Sequence, residues 1–143
     1  MDLGTTGAIL SFALALEERK GAFYSKHVAE VHNPSLRQAF EEIQRDQRKR
    51  ERILSRFRRE NVTEMILEPI HGFDSDEFEL TISSEELHDD TTLQKSAIKI
   101  EENSQSFFLK ASEKTTFLPE VSDQFKRFSD SAGNRAKLLK SIL

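Results

Sequence analysis

Two glutamates sit in matching surroundings, Glu17 in "LEERKGAFY" and Glu101 in "IEENSQSFF", at a constant offset of 101 − 17 = 84. Each directly follows an apolar stripe residue, Leu16 or Ile100, and a carboxylate there could hold a hard cation or move a proton. A second pair of segments, "FEEIQRDQRKRERIL" from Phe40 and "FKRFSDSAGNRAKLL" from Phe125, repeats at an offset of 125 − 40 = 85. There Gln47 and Arg50, then Ala132 and Arg135, occupy stripe positions that ought to be leucine-like. An amide, a methyl group and two permanent cations on core faces need an electrostatic reason.

Other chemistry is thin. There are no cysteines, which removes disulfides, thiolate metal sites, iron–sulfur clusters and cysteine nucleophiles. No serine nucleophile motif, Gly-rich phosphate loop or set of histidines at ligand spacing is present. His27 falls on the first helix's stripe but lies ten residues from Glu17, about 15 Å of helical rise, so it reads as a satisfied core histidine. His71 and His88 have acidic neighbours and suggest adventitious surface metal binding at most. Tyr24 pairs with Phe108 in the repeat and is assigned to packing.

Helical periodicity supplies the elements that carry these groups. Steps of three and four link Ile9, Ala13, Leu16, Lys20, Phe23 and His27, and again Leu36, Phe40, Ile43, Gln47, Arg50, Leu54 and Phe57; the second half repeats both patterns. Four amphipathic helices are predicted at 6–32, 35–60, 91–116 and 119–142. Asn33 and Pro34 break the first pair with Ser35 as N-cap, and Pro119 opens the fourth helix. The breaks are short, so each pair is expected to be an antiparallel hairpin. Residues 67–90 lack the 3.6-residue pattern and are long enough, extended, to run the bundle's length as a crossover. Phe78, Leu80 and Ile82 alternate with polar residues, giving that segment one apolar edge. Asp74, Asp76 and Glu85 do not make a calcium loop, because Glu79 stands where the turn needs glycine. The chain reads as a single all-α domain over 1–143: helix pair 6–60, crossover 67–90, helix pair 91–142.

Charge narrows the partners. Charged residues make up 32% of the chain and the formal net charge is −4, which gives no overall basic field to hold nucleic acid. Arg45, Arg48, Lys49, Arg50, Arg52, Arg56, Arg58 and Arg59 crowd one helix, but interleaved Glu41, Glu42, Asp46, Glu51 and Glu60 are expected to pair with them. The apolar opening "GAILSFALAL" is too short for a membrane span and runs into "EERK"; it reads as the first turns of a core helix. The expectation is a soluble, cytoplasmic protein binding neither nucleic acid nor membrane.

Two repeated helix pairs joined by a crossover, with a glutamate and an aromatic pair (Phe23-Tyr24, Phe107-Phe108) on each first helix, resemble the ferritin-like superfamily, particularly the erythrin domains of rubrerythrin-like proteins. The resemblance implies a four-helix bundle holding two irons. It also implies ligands from one Glu on each first helix and a Glu-x-x-His on each second helix, since i and i+3 share a face. Glu17 and Glu101 match the first-helix glutamates. Gln47 and Arg50, then Ala132 and Arg135, stand at the Glu-x-x-His positions, so four of six implied ligands are replaced. Arginine has no free lone pair, glutamine is a poor neutral ligand, and alanine is none.

The resulting expectation is a degenerate site with no metal, in which Glu17–Arg50 and Glu101–Arg135, or the diagonal exchange, form core ion pairs with Gln47 hydrogen-bonded between them. Snorkelling of Arg50 and Arg135 to water is the alternative. The functional reading is a non-catalytic scaffold or partner-binding bundle, homodimeric by family habit, with an unknown protein partner. The other reading is an atypical iron-binding oxidoreductase or iron-handling protein using Glu17 and Glu101 with Glu18, Glu51 or Glu102.

Overall fold

The computed structural model describes residues 1–60, 68–80 and 89–143. Four long helices dominate: α1, Thr6–His27; α2, Pro34–Glu60; α3, Asp90–Lys114; and α4, Pro119–Ile142. Two single 3₁₀ turns, Val28–Glu30 and Ser75–Phe78, lie in the connections. The chain is thus all-helical over these elements. Packing follows the hairpins, α1 on α2 and α3 on α4, and lesser seams between α1 and α3 and between α2 and α4 close the group. Among the described residues, no helix is long and apolar enough to cross a membrane.

Helix boundaries follow from local chemistry. Thr5 caps α1, its hydroxyl accepting the Ala8 N–H at 3.0 Å. α1 stops at His27, five residues short of the expected 32. The chain tightens into the 3₁₀ turn, goes extended at Val31 and prepares for Pro34, which disfavours helical backbone just before it. Asn33, not Ser35, caps α2, with its side-chain oxygen accepting the Leu36 N–H at 3.0 Å and Pro34 already helical. The Asp90 carboxylate accepts the N–H groups of His32 (2.9 Å) and Asn33 (2.6 Å), fastening this turn to the start of α3. α3 begins with a reciprocal capping box between Asp89 and Thr92 and ends at Lys114; Pro119 occupies the first turn of α4.

The described part of the connection is held by both the chain's first residues and α3. Ile70 N–H donates to the Gly4 carbonyl (2.9 Å), Leu3 to Phe73 (2.8 Å) and Ser75 to Met1 (2.9 Å). Gly72, at φ 72°, makes the bend that this path requires. Phe73 and Phe78 are buried against Phe107, while Leu80 is 41% exposed. The expected alternating edge is therefore a 3₁₀ turn with Phe78 as its anchor; Ile82, Glu85 and His88 lie outside the described residues. Asp74 and Asp76 each accept from the Met1 amino group at 2.9 Å, and Asp74 caps the 3₁₀ turn.

The core is split. One apolar cluster, with Leu10, Phe12, Phe57, Phe107, Phe108 and Phe125, fills the end where α1 begins. The other, with Tyr24, Leu36, Phe40, Leu93, Ala97 and Leu139, fills the opposite end. Between them lies a layer of buried charge.

Candidate functional site: a buried charged layer

Each helix contributes its stripe residue at mid-length. Glu17 and Lys20 come from α1, Gln47 and Arg50 from α2, Glu101 and Ser104 from α3, and Ala132 and Arg135 from α4; all are buried. Glu17 and Glu101 have no solvent exposure at all. Side chains three residues apart share a helix face, which is why Glu17 brings Lys20, and Gln47 brings Arg50, into the same layer.

Glu17 is served mainly by α2. Arg50 Nε lies 3.4 Å from Glu17 Oε2, and its Nη2 lies 3.5 Å from Oε1. Gln47 donates through Nε2 to the Glu17 carbonyl at 2.8 Å and also to the Glu17 carboxylate. Gly21 makes this approach available: a Cβ there would come within 3.2 Å of Gln47 Cγ. The Arg50 guanidinium donates to Ser131 Oγ at 3.0 Å and stacks over the Phe128 ring, 4.5 Å from its centre. At 3% exposure, it is not snorkelling to water.

Glu101 has a different set. Lys20 Nζ donates to its Oε2 at 3.0 Å, and Tyr24 donates its hydroxyl to Oε1 at 3.0 Å. Arg135 Nη1 lies 3.6 Å from Oε1, while its Nη2 reaches outward to half-exposed Asp46 at 2.8 Å. Tyr24 is therefore a ligand of the layer as well as a packing residue. Lys20 is the central cation. Its Nζ also lies 3.6 Å from Glu17 Oε1, so one ammonium stands between the two carboxylates.

The electrostatics follow from this arrangement. Burial by itself pushes the Glu17 carboxyl up, but Lys20, Arg50, the Gln47 amide and Arg135 outweigh it and hold the group below its ordinary value. Burial draws the Lys20 ammonium down, further than Glu101 and Glu17 restore it. Burial, and then the Glu101 charge, push the Tyr24 phenol well above its usual value, so it remains a hydrogen-bond donor.

The other candidates lie apart. His27 is bonded to Glu30 at 2.9 Å and packs on Phe23; His71 is exposed. Glu102 pairs with Lys140 at 3.2 Å on the surface. Glu18 and Glu51 line a groove between α1 and α2 with Gly21 and Gln47 as neighbours. Among the described residues, no group of three or more His, Asp or Glu side chains is placed to hold a metal ion. The layer's own donors do not fit one: the two carboxylates face an ammonium, and both guanidinium positions are cationic. Among the described residues the layer pairs no nucleophile with a base, while its Lys20 and Gln47 also line surface pockets.

The sequence reading gives Tyr24 packing alone and Lys20 no role, although a signal exists. Lysine at position 20 interrupts an otherwise apolar stripe three residues after Glu17, where the repeat has Ser104. No family model, curated protein or solved structure matches the chain.

Proposed function

We infer that this chain is a ferritin-like bundle, related in plan to rubrerythrin-like domains, whose diiron centre has been replaced by internal ion pairs, and that it acts as a non-catalytic scaffold for a protein partner. The observation that carries the reading is Lys20 Nζ, at 3.0 Å from Glu101 and 3.6 Å from Glu17. A carboxylate pair that bridges a lysine has its charge answered from within the chain and presents no free lone pairs toward solvent. Arg50 and Arg135, at the positions the resemblance assigns to histidine ligands, add two more fixed cations. On this reading the two helix pairs are copies, the connection is their crossover, and Lys20 does for the bundle what metal charge does in the resembled proteins.

The test is elemental analysis of untagged protein exposed anaerobically to excess Fe(II) and then desalted. Protein without bound iron supports the reading. About two irons per chain, lost on Glu17→Ala or Glu101→Ala, would overturn it in favour of iron chemistry, because a dinuclear site needs both carboxylates.

A further inference from the structure

The outward face of α2 carries cations that the rest of the described molecule leaves unanswered. At 100° per residue, Arg45, Arg48, Lys49, Arg52, Arg56 and Arg59 fall within an arc of about 100°, opposite the buried stripe. They extend over about 21 Å of helix at 1.5 Å per residue. Five of them, all but Arg45, line one depression, together with Glu51, Ile53 and Ser55.

Of the interleaved acids expected to neutralise this face, only Glu60 pairs with one of its cations. Glu41 pairs with Arg37 (3.5 Å), Asp46 turns inward to Arg135 (2.8 Å), and Glu60 takes only Arg56 (3.8 Å). Glu51 lies toward Gly21, its Oε1 3.9 Å from where a glycine Cβ would be. Arg45, Arg48, Lys49, Arg52 and Arg59 form no ion pair among the described residues.

We propose that this stripe on α2 binds the phosphate backbone of duplex nucleic acid without reading its sequence. Three features select that occupant. The cations are mostly guanidinium groups, whose paired donors match phosphate oxygens. They form a line, which suits a linear array of phosphates better than the plane of a membrane. The face also lacks an aromatic or exposed aliphatic anchor, since Phe57 is buried and Ile53 half-buried. A protein interface draws its affinity from such anchors, and bases stack on aromatics, whereas counterion release from a duplex requires neither. The chain's net charge of −4 opposes binding from a distance, so the affinity is modest and confined to low salt.

The experiment is fluorescence anisotropy of a labelled duplex of about 20 base pairs, titrated with the whole protein at several salt concentrations. Binding is expected with a log–log salt slope of about −4.5, from five phosphates at about −0.9 each. Arg48→Glu with Arg52→Glu should weaken it at least tenfold and flatten the slope by about 2. Lys95→Glu with Lys99→Glu, on exposed positions of α3, should change affinity less than twofold. Circular dichroism and melting of each variant exclude misfolding, and single reversals at Arg48 or Arg59 give the same test if the double variant melts early. Absence of binding at low salt, equal loss in the α2 and α3 variants, or tighter capture of polyglutamate or phosphatidylserine vesicles than of the duplex would overturn the proposal. Iron content does not enter this measurement, so its failure leaves the scaffold reading untouched.

Discussion

Glu17 and Glu101 occupy equivalent places in the two halves of the sequence, yet they are neutralised in different ways. Glu17 takes its partners from the next helix of its own hairpin, Gln47 and Arg50. Glu101 takes its shortest contacts from the other hairpin, Lys20 and Tyr24 of α1, and keeps Arg135 at 3.6 Å. The asymmetry arises at three aligned positions, Lys20 against Ser104, Tyr24 against Phe108 and Gln47 against Ala132, where only the first half carries a polar side chain long enough to reach a carboxylate of the layer. Glu17 thus binds one hairpin together, while Glu101 ties the two hairpins to each other along the seam where α1 and α3 otherwise pack less extensively. Matching spacing along the helices sets both carboxylates in one layer, and the identity of three neighbours decides which helices they join.

The largest way to break this comparison is to remove the shared cation. Lys20→Met leaves Glu101 without its nearest positive charge and withdraws one from Glu17. Removing one member of a buried pair typically costs about 3–5 kcal/mol, and urea denaturation at neutral pH should show a loss of that order. The pH dependence should also weaken. In the parent protein the Glu17 carboxyl is held below its unfolded value near 4.5, so its contribution is complete above that value and is lost as pH falls through the lower folded value. In Lys20→Met, Glu17 loses the largest of the charges that hold its carboxyl down, so the loss of stability on acidification should be shallower than in the parent. A variant that is as stable as the parent at pH 7, with the parent's acid limb, would remove Lys20 from the centre of the layer.

Next in size is the contrast between the two arginines. Arg50→Leu should cost about 3–5 kcal/mol, because Arg50 is 3% exposed and in contact with Glu17, Ser131 and Phe128. Adding Glu17→Leu should restore part of that loss, since the charge left behind is removed as well. Arg135→Leu should cost less, about 1–3 kcal/mol: one arm already faces half-exposed Asp46, and Glu101 keeps Lys20 and Tyr24. Equal losses for Arg50→Leu and for the double variant would break the Glu17 pairing, and a larger loss at Arg135 would reverse the asymmetry.

Much of this arrangement was legible beforehand because helix periodicity is carried by every third or fourth residue. The four helices, their hairpin turns and the stripe positions Gln47, Arg50, Ala132 and Arg135 follow from that pattern, whereas Glu17 and Glu101 were singled out through the resemblance. Helix ends were read less well: α1 ends at His27 because backbone at Val31 and Pro34 overrides a stripe that continues on paper. The role of Lys20 was harder to see, since a lysine on an apolar stripe reads equally as a stem lying along the core with its ammonium in water. Only the position of Glu101, 81 residues away in sequence, turns that ammonium inward. The α2 face illustrates the same limit. Charge interleaving at i+3 and i+4 suggested self-pairing, but Asp46 finds its partner on α4, a choice that local spacing does not contain.

The smallest and finest test concerns Tyr24. Its hydroxyl donates to Glu101 at 3.0 Å in a fully buried setting, and Phe108, its counterpart, does without one beside Phe107, Phe125 and Phe128. If the hydroxyl serves the layer, Tyr24→Phe should cost about 1.5–3 kcal/mol, the range for a hydrogen bond to a charged group. If the ring alone mattered, the substitution would be nearly neutral, because the ring's edge contact with Phe40 is retained. The double-mutant cycle with Glu101→Gln separates these outcomes. Coupling of about 1 kcal/mol or more means that the first half of the chain supplies a donor the second half lacks, which locates the asymmetry in the hydroxyl itself. Additive losses would shift it onto Lys20 alone.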